Sequence, residues 1–311
     1  MAKVTAYAPA SMGNVSVGFD LLGAALQPVD GSRLGDRVSV EDAETPAFAC
    51  CGPYEDVLPR DPSQNIVLKA VEAFFDASGL APQPLALTLE KNLPVGSGLG
   101  SSASSVVAAC AALNRFFDDP LSEVELLKLM GELEGQISGS IHYDNVAPSY
   151  LGGLQLMVAD FARKLPAFDD WYWVVAYSGI SLSTAKMRAL LPEQYDKGTT
   201  IAFGQNLAAF VDACYRQDQA QALAMLKDEL AEPHRAAHIP GFVAAKSALA
   251  ELGADAVGIS GSGPTLFAVC RDKESAQRAK HYLDTCYLAN ARGFAHICRL
   301  AEDGVIYQSE K

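Results

Sequence analysis

The residues with the clearest capacity for chemistry form one run, Pro94-Val95-Gly96-Ser97-Gly98-Leu99-Gly100-Ser101-Ser102-Ala103-Ser104. Glycine lets the backbone reach positive φ and approach a ligand closely, and the first turn of a following helix aims unpaired N–H groups and the positive end of its dipole at one spot. Such a loop cradles an anion, above all a phosphate. The flanking residues predict the elements it needs. Leu85, Leu87 and Leu89 alternate with smaller or polar residues as in a half-buried strand, which Lys91-Asn92-Leu93-Pro94 closes. Beyond the loop Val106, Ala109, Cys110, Leu113 and Phe117 recur at helical spacing, with Ser101, Ser102 and Ser104 as candidate N-cap oxygens. On composition alone the alternative is a Gly/Ser turn opening an ordinary core helix.

Other glycine loops do not fit. A Walker A loop needs Gly-Lys-Ser/Thr, and here Gly100-Ser101-Ser102 stands without a lysine. A dinucleotide fingerprint wants a glycine at 101 and a strand that opens the domain. A protein kinase would add Val-Ala-Ile-Lys, His-Arg-Asp and Asp-Phe-Gly, which the chain lacks. What remains is a lysine-free anion loop.

Other polar residues carry two readings each. Ser122-Glu123-Val124-Glu125 is a capping box opening a helix with Leu126, Leu129, Met130 and Leu133 toward a core, expected to end at Glu134-Gly135. A carboxylate at that end is disfavoured by the helix dipole by up to about 1 kcal/mol, so Glu134 needs a partner or is an exposed helix-end charge. Asn65, in Pro62-Ser63-Gln64-Asn65-Ile66-Val67, suits an N-cap, as does Ser63. Gly258-Ile259-Ser260-Gly261-Ser262-Gly263-Pro264-Thr265 is a second glycine loop, shaping a cleft or making a tight turn. His142 could equally be an ordinary structural histidine. His234 and His238 stand at i, i+4, but Pro240 and the lack of a Glu-x-x-His context argue against zinc.

The elements that must position these residues are read from punctuation. The chain of 311 residues is long enough for two domains. A boundary is expected near residue 163, dividing 1–163 from 164–311, because Phe161 to Trp173 reads as a separating stretch before the apolar strand from Trp173 to Tyr177. Helices are expected over Thr200 to Gln217, Gln219 to Ala231, Gly241 to Leu252 and Lys273 to Ala289, with strands over Ala256 to Ile259 and Thr265 to Cys270. This irregular alternation points to an α+β fold. With 24 basic against 37 acidic residues and a net charge of -13, nucleic acid and anionic lipid are poor partners. The seven cysteines show no C-x-x-C spacing and read as core thiols in a reducing compartment. With no signal-peptide pattern and no run long enough to span a membrane, the expectation is a cytoplasmic protein.

Pro94-x-x-x-Gly98-Leu99-Gly100-Ser101-Ser102-Ala103 resembles the ATP-binding motif of the GHMP kinases. Pro9-Ala10-Ser11-Met12-Gly13-Asn14-Val15-Ser16-Val17-Gly18-Phe19-Asp20 resembles that family's first motif, and the Gly258 to Thr265 run its third. Glu134-Gly135, Ser138-Gly139-Ser140, His142, Asp144-Asn145-Val146-Ala147-Pro148 and Gly152-Gly153 resemble the branch that acts on homoserine. The resemblance spans nearly the whole chain. It implies an S5-like N-terminal domain and a ferredoxin-like C-terminal one with the site between them, ATP and Mg²⁺ as cofactors, L-homoserine as the small-molecule substrate, a step toward threonine, and a homodimer. It places the nucleotide on residues 94–104 and Asn65, and Mg²⁺ on Glu134 with Ser101 or Ser102. Asn14, Asp20, His142, Arg188 and Arg235 become the substrate contacts, arginine suiting a carboxylate through its planar fork. Asn145 and Thr184 would polarise the acceptor hydroxyl, ahead of Asp144 as a general base. Another small-alcohol kinase of the family, or a catalytically silent relative, is the alternative; a dinucleotide oxidoreductase would instead be protected by NAD(P).

Overall fold

The computed structural model describes residues 3–310 except 60, 62, 63, 139, 140 and 160. The expectations for Pro62, Ser63, Gly139 and Ser140 fall outside that set. The chain runs β1 (Lys3–Pro9), β2 (Ser11–Gly13), β3 (Leu22–Pro28), β4 (Gly35–Asp42), β5 (Ala47–Cys51), α1 (Ile66–Ser78), β6 (Leu85–Glu90), α2 (Ser101–Phe116), α3 (Glu123–Ser138), α4 (Val146–Leu151), β7 (Leu154–Val158) and β8 (Phe161–Leu165). It continues through β9 (Tyr172–Tyr177), α5 (Thr184–Arg188), α6 (Lys197–Arg216), α7 (Gln219–Met225), α8 (Glu232–Arg235), α9 (Phe242–Glu251), β10 (Ala256–Ile259), β11 (Leu266–Cys270), α10 (Lys273–Tyr282), β12 (Phe294–Leu300) and β13 (Ile306–Glu310).

Two sheets result, ordered β13-β1-β4-β6-β5 and β10-β11-β9-β12-β3-β7-β8, with β2 added beside β3. In the first, the inward residues Val38, Val40, Leu85, Leu87 and Leu89 meet Phe74 of α1 and Val106, Val107, Cys110 and Leu113 of α2. Helix α2 is buried from Ala103 through Asn114. Its alanines and serines let it lie between sheet and neighbouring helices without a polar outer face. In the second sheet β9 is covered on both sides. Trp173, Val175 and Tyr177 face one cluster with Phe210 and Phe267; Val174 and Ala176 face another with Phe242 and Leu249. The strand therefore reads as an unbroken apolar run.

The α+β expectation holds, with four departures in detail. The stretch from Phe161 read as a separator forms β8, paired antiparallel with β7, so residue 163 lies within a strand. Strand β3 joins β12 in the second sheet, while β13 returns to the edge of the first against β1. The two halves thus interlock rather than follow one another. Helix α7 stops at Met225, well before Ala231, because the Asp228 carboxylate turns the chain by accepting the N–H groups of Leu230 at 3.0 Å, Ala231 at 2.7 Å and Glu232 at 3.0 Å. Helix α10 ends at Tyr282, and Leu283–Tyr287 form a wider π-helical turn. Among the described residues no helix is long and apolar enough to cross a membrane.

Candidate active site

The glycine loop is built from behind. Gly96, Gly98 and Gly100 all have positive φ, and none of them admits a side chain, a Cβ on Gly96 coming within 2.8 Å of the Leu182 carbonyl oxygen. A Cβ on Gly98 would come within 2.5 Å of the Ser260 carbonyl oxygen, and one on Gly100 within 2.1 Å of Ser11 Oγ. The second glycine loop is what presses on the first. Ser260 Oγ donates to the Gly98 carbonyl at 2.6 Å, and Thr265 N–H donates to the Ser97 carbonyl at 3.0 Å. Helix α2 starts at Ser101 with Gly100 as a left-handed N-cap and no side-chain cap. The expected serine caps are otherwise engaged. Ser101 Oγ donates to Leu93 O at 3.1 Å, Ser102 Oγ to Glu134 Oε1 at 2.7 Å and Ser104 Oγ to Ala8 O at 2.8 Å.

The loop itself holds no lysine, but one stands beneath it. Lys91 is almost fully buried and paired with buried Asp36. Its Nζ also donates to Ser101 O and Ser105 Oγ, both at 2.9 Å. Asp36 in turn accepts the N–H groups of Asn92 at 2.8 Å and Leu93 at 2.9 Å. One ion pair therefore ties β4, the end of β6 and the first turn of α2 together. A lysine after a strand ordinarily reads as a solvated terminus, and nothing in the local spacing marks this one as buried.

The loop opens onto a cleft of about 960 Å³. It gathers Asn65, Val95 to Gly98, Gly100, Ser101, Ser102 and Glu134 around the loop, with Asn145 beside Gly100, and Asn14, Asp20, His142, Asp144, Thr184, Arg188 and Arg235 farther along. Four residues expected at the nucleotide are not among those that line the cleft. Pro94, Leu99, Ala103 and Ser104 are buried and absent from the lining; their side chains pack the loop against the core. Asn65 lines the cleft and also caps α1, its Oδ1 accepting from Val67 N–H at 3.0 Å. The N-cap reading of that residue is realised, and its place in the lining leaves it facing the cleft as well.

Glu134 lies inside α3, which continues to Ser138, so its peculiarity is not a helix end. Its carboxylate is sunk against the protein, and burial pushes its pKa up to about 7 against the opposing pull of the Ser102 hydroxyl and the Lys91 ammonium. Ser102, rather than Ser101, is its hydroxyl neighbour. Among the described residues no group of three or more His, Cys, Asp or Glu side chains could hold a metal. Mg²⁺ held with nucleotide phosphates needs only one or two carboxylates, and the hard oxygen donors of Glu134 and Ser102 fit that requirement.

At the far end, Arg188 and Asp20 form a two-pronged ion pair at 2.8 and 3.0 Å. His142 Nδ1 stands 3.6 Å from the same carboxylate; burial lowers its pKa, with Asp20 pulling the other way. Asn14 is engaged at both ends of its amide, accepting from Asp20 N–H at 2.9 Å and donating to Gly261 O at 3.1 Å. Arg235 is buried and donates to Gly261 O at 3.0 Å and Met187 O at 3.2 Å. Asn145 Oδ1 accepts from Ser11 Oγ at 3.1 Å, and Thr184 Oγ1 lies 3.3 Å from Ser262 Oγ. Asp144 is buried, and desolvation with the nearby Asp20 charge pushes its pKa up to about 7. Phe19 joins the cleft without having been singled out beyond its motif. Its neighbours come from distant parts of the chain, and local spacing carries no sign of them.

A glycine-cradled anion site facing an acid-and-guanidinium recess defines a small-molecule kinase cleft. The chain belongs to the GHMP kinase family: the model of the GHMP kinases N-terminal domain matches residues 65–153, and that of the GHMP kinases C-terminal domain matches residues 210–289. Among solved structures, the homoserine kinase from Cytophaga hutchinsonii is 30% identical, with a TM-score of 0.88 over 98% of this chain and 97% of that one. The mevalonate kinase of Methanococcus jannaschii shares the fold at 14% identity and a TM-score of 0.71, over 95% of this chain and 98% of that one.

Proposed function

We propose that this protein phosphorylates the side-chain hydroxyl of L-homoserine with ATP. The observation that carries the reading is the far end of the cleft, where one carboxylate and two guanidiniums meet within reach of a glycine loop. Homoserine presents an ammonium, a carboxylate and a hydroxyl. Asp20 suits the first, and Arg188 with Arg235 suits the second, which leaves the hydroxyl to point toward the loop. Isoprenoid and sugar acceptors do not pair a carboxylate with an α-ammonium. The 30% identity to a homoserine kinase over nearly the whole chain supports the same substrate.

Phosphoryl transfer asks mainly for alignment and charge neutralisation. The uncapped first turn of α2 and the glycine loop supply main-chain N–H groups to a triphosphate. Glu134 and Ser102 would hold Mg²⁺, whose charge neutralises phosphate oxygens when it is bound. Asn145 and Thr184 orient the acceptor hydroxyl. A loose transition state needs little prior deprotonation, so the phosphoryl oxygens can take the proton. Asp144, with its carboxyl held near 7, is the residue able to take it instead. A coupled ADP-release assay with ATP, Mg²⁺ and homoserine, serine, threonine, mevalonate and galactose tests the assignment. Homoserine should give the highest kcat/KM; a preference for mevalonate or galactose refutes it.

A further inference from the structure

Phe19 stands where the two guanidiniums meet. The Cζ of Arg188 lies 5.5 Å from the centre of its ring and that of Arg235 lies 5.6 Å from it, each over the ring. The ring is half-buried and borders the cleft. Two cations in one recess repel each other, and Asp20 answers the charge of Arg188 directly through its two-pronged pair. Arg235 is held from behind by the carbonyls of Gly261 and Met187. An aromatic face draws both cations to itself through its quadrupole without consuming any of their N–H groups, so the fork that Arg188 lends to Asp20 can be exchanged for an incoming anion.

The backbone that delivers the ring is itself unusual. Asn14, Val15 and Ser16 have φ values of 69°, 46° and 55°, a run of left-handed residues without glycine, and Asp20 follows at 58°. Such a conformation is costly for a β-branched residue and persists only where its surroundings impose it. Here they do so through the Asn14 amide, through Gly18 N–H donating to Asn14 O at 2.9 Å, and through Gly261 N–H donating to Gly13 O at 3.1 Å. The same main chain of Gly261 receives Asn14 and Arg235. Turn, ring and guanidinium are thus referenced to one point.

We infer that Phe19 is a positioning residue that sets Arg188 and Arg235 at the spacing needed to share one carboxylate, and so selects amino-acid acceptors over simple amino alcohols. This rests on the homoserine reading above. The test compares Phe19→Leu, which keeps apolar bulk without a π face, with Phe19→Tyr, which keeps the face. KM for homoserine should rise roughly tenfold in the Leu variant, with a smaller change in kcat and in KM for ATP. The Tyr variant should remain within about twofold of wild type. The preference for homoserine over 3-aminopropan-1-ol, which lacks the carboxylate, should shrink in parallel. If Phe19→Leu does not fold, Phe19→Met makes the same comparison. Equal effects of Leu and Tyr, or parallel rises in KM for homoserine and ATP, would show a merely structural ring and overturn the inference. A wild-type protein that consumes no ATP with homoserine overturns the substrate reading and this inference together, whereas an active wild type matched by Phe19→Leu overturns this inference alone.

Discussion

Replacing Asp144 by Asn should stabilise the protein while damaging it as a catalyst. The side chain is buried, with its carboxyl raised from 3.8 to about 7 by desolvation and by the neighbouring Asp20 charge. The folded state therefore holds this proton more tightly than the unfolded chain. The folded state is favoured most below pH 4, and that advantage is lost as the pH climbs toward 7. At pH 8 the ionised carboxylate costs the folded protein about 4 kcal/mol, falling below about 1 kcal/mol near pH 4. Asn has nearly the shape of the protonated carboxyl and carries no charge, so Asp144→Asn should recover most of that difference. Urea unfolding of both proteins between pH 4 and pH 8 measures it. The stability gap in favour of the variant should widen steadily with pH. The companion measurement is kcat, where a loss beyond about 10⁴-fold assigns Asp144 as general base and a smaller one assigns it to positioning. A variant no more stable than wild type at pH 8 would refute the buried-charge argument, whatever its activity.

Two further outcomes follow from the same geometry. Glu134→Gln should abolish the extra thermal protection that Mg²⁺ adds to bound nucleotide and lower kcat by about a hundredfold or more; equal Mg²⁺ increments in both proteins would exclude Glu134 as its ligand. Lys91→Met leaves the Asp36 carboxylate buried without its cation and should cost about 3 kcal/mol or more in urea unfolding, whereas a loss under about 0.5 kcal/mol would mean that the backbone N–H groups of Asn92 and Leu93 already satisfy it.

What the sequence made legible was whatever depends on near neighbours. The alternation of Leu85, Leu87 and Leu89 gave β6, and the reciprocal capping of Ser122 and Glu125 is present, with Ser122 N–H donating to Glu125 Oε2 at 2.9 Å and Glu125 N–H to Ser122 Oγ at 3.4 Å. Most residues expected at the site do meet in one cleft. The failures are long-range. Ser104 looks like a cap until β1 supplies the carbonyl of Ala8 as its partner. Lys91 looks solvated until Asp36, 55 residues away, is folded against it. Phe19 looks like filler until two arginines from beyond residue 180 arrive over its ring. Likewise β3 and β13 leave their own halves to pair with β12 and β1, and local pattern carries no address for a strand's partner.

The Asp20–Arg188 pair has a consequence for how the recess meets its surroundings. Before a substrate enters, these opposite charges already cancel one another, so the pair itself adds little net field to the recess. An incoming zwitterion exchanges partners with them, ammonium to carboxylate and carboxylate to guanidinium, and total charge is unchanged throughout. Its affinity should therefore vary little with ionic strength, while a mono-charged competitor strands one protein ion and stays sensitive to salt. Discrimination at this end of the cleft is then a matter of completing a swap, and half a zwitterion cannot complete it.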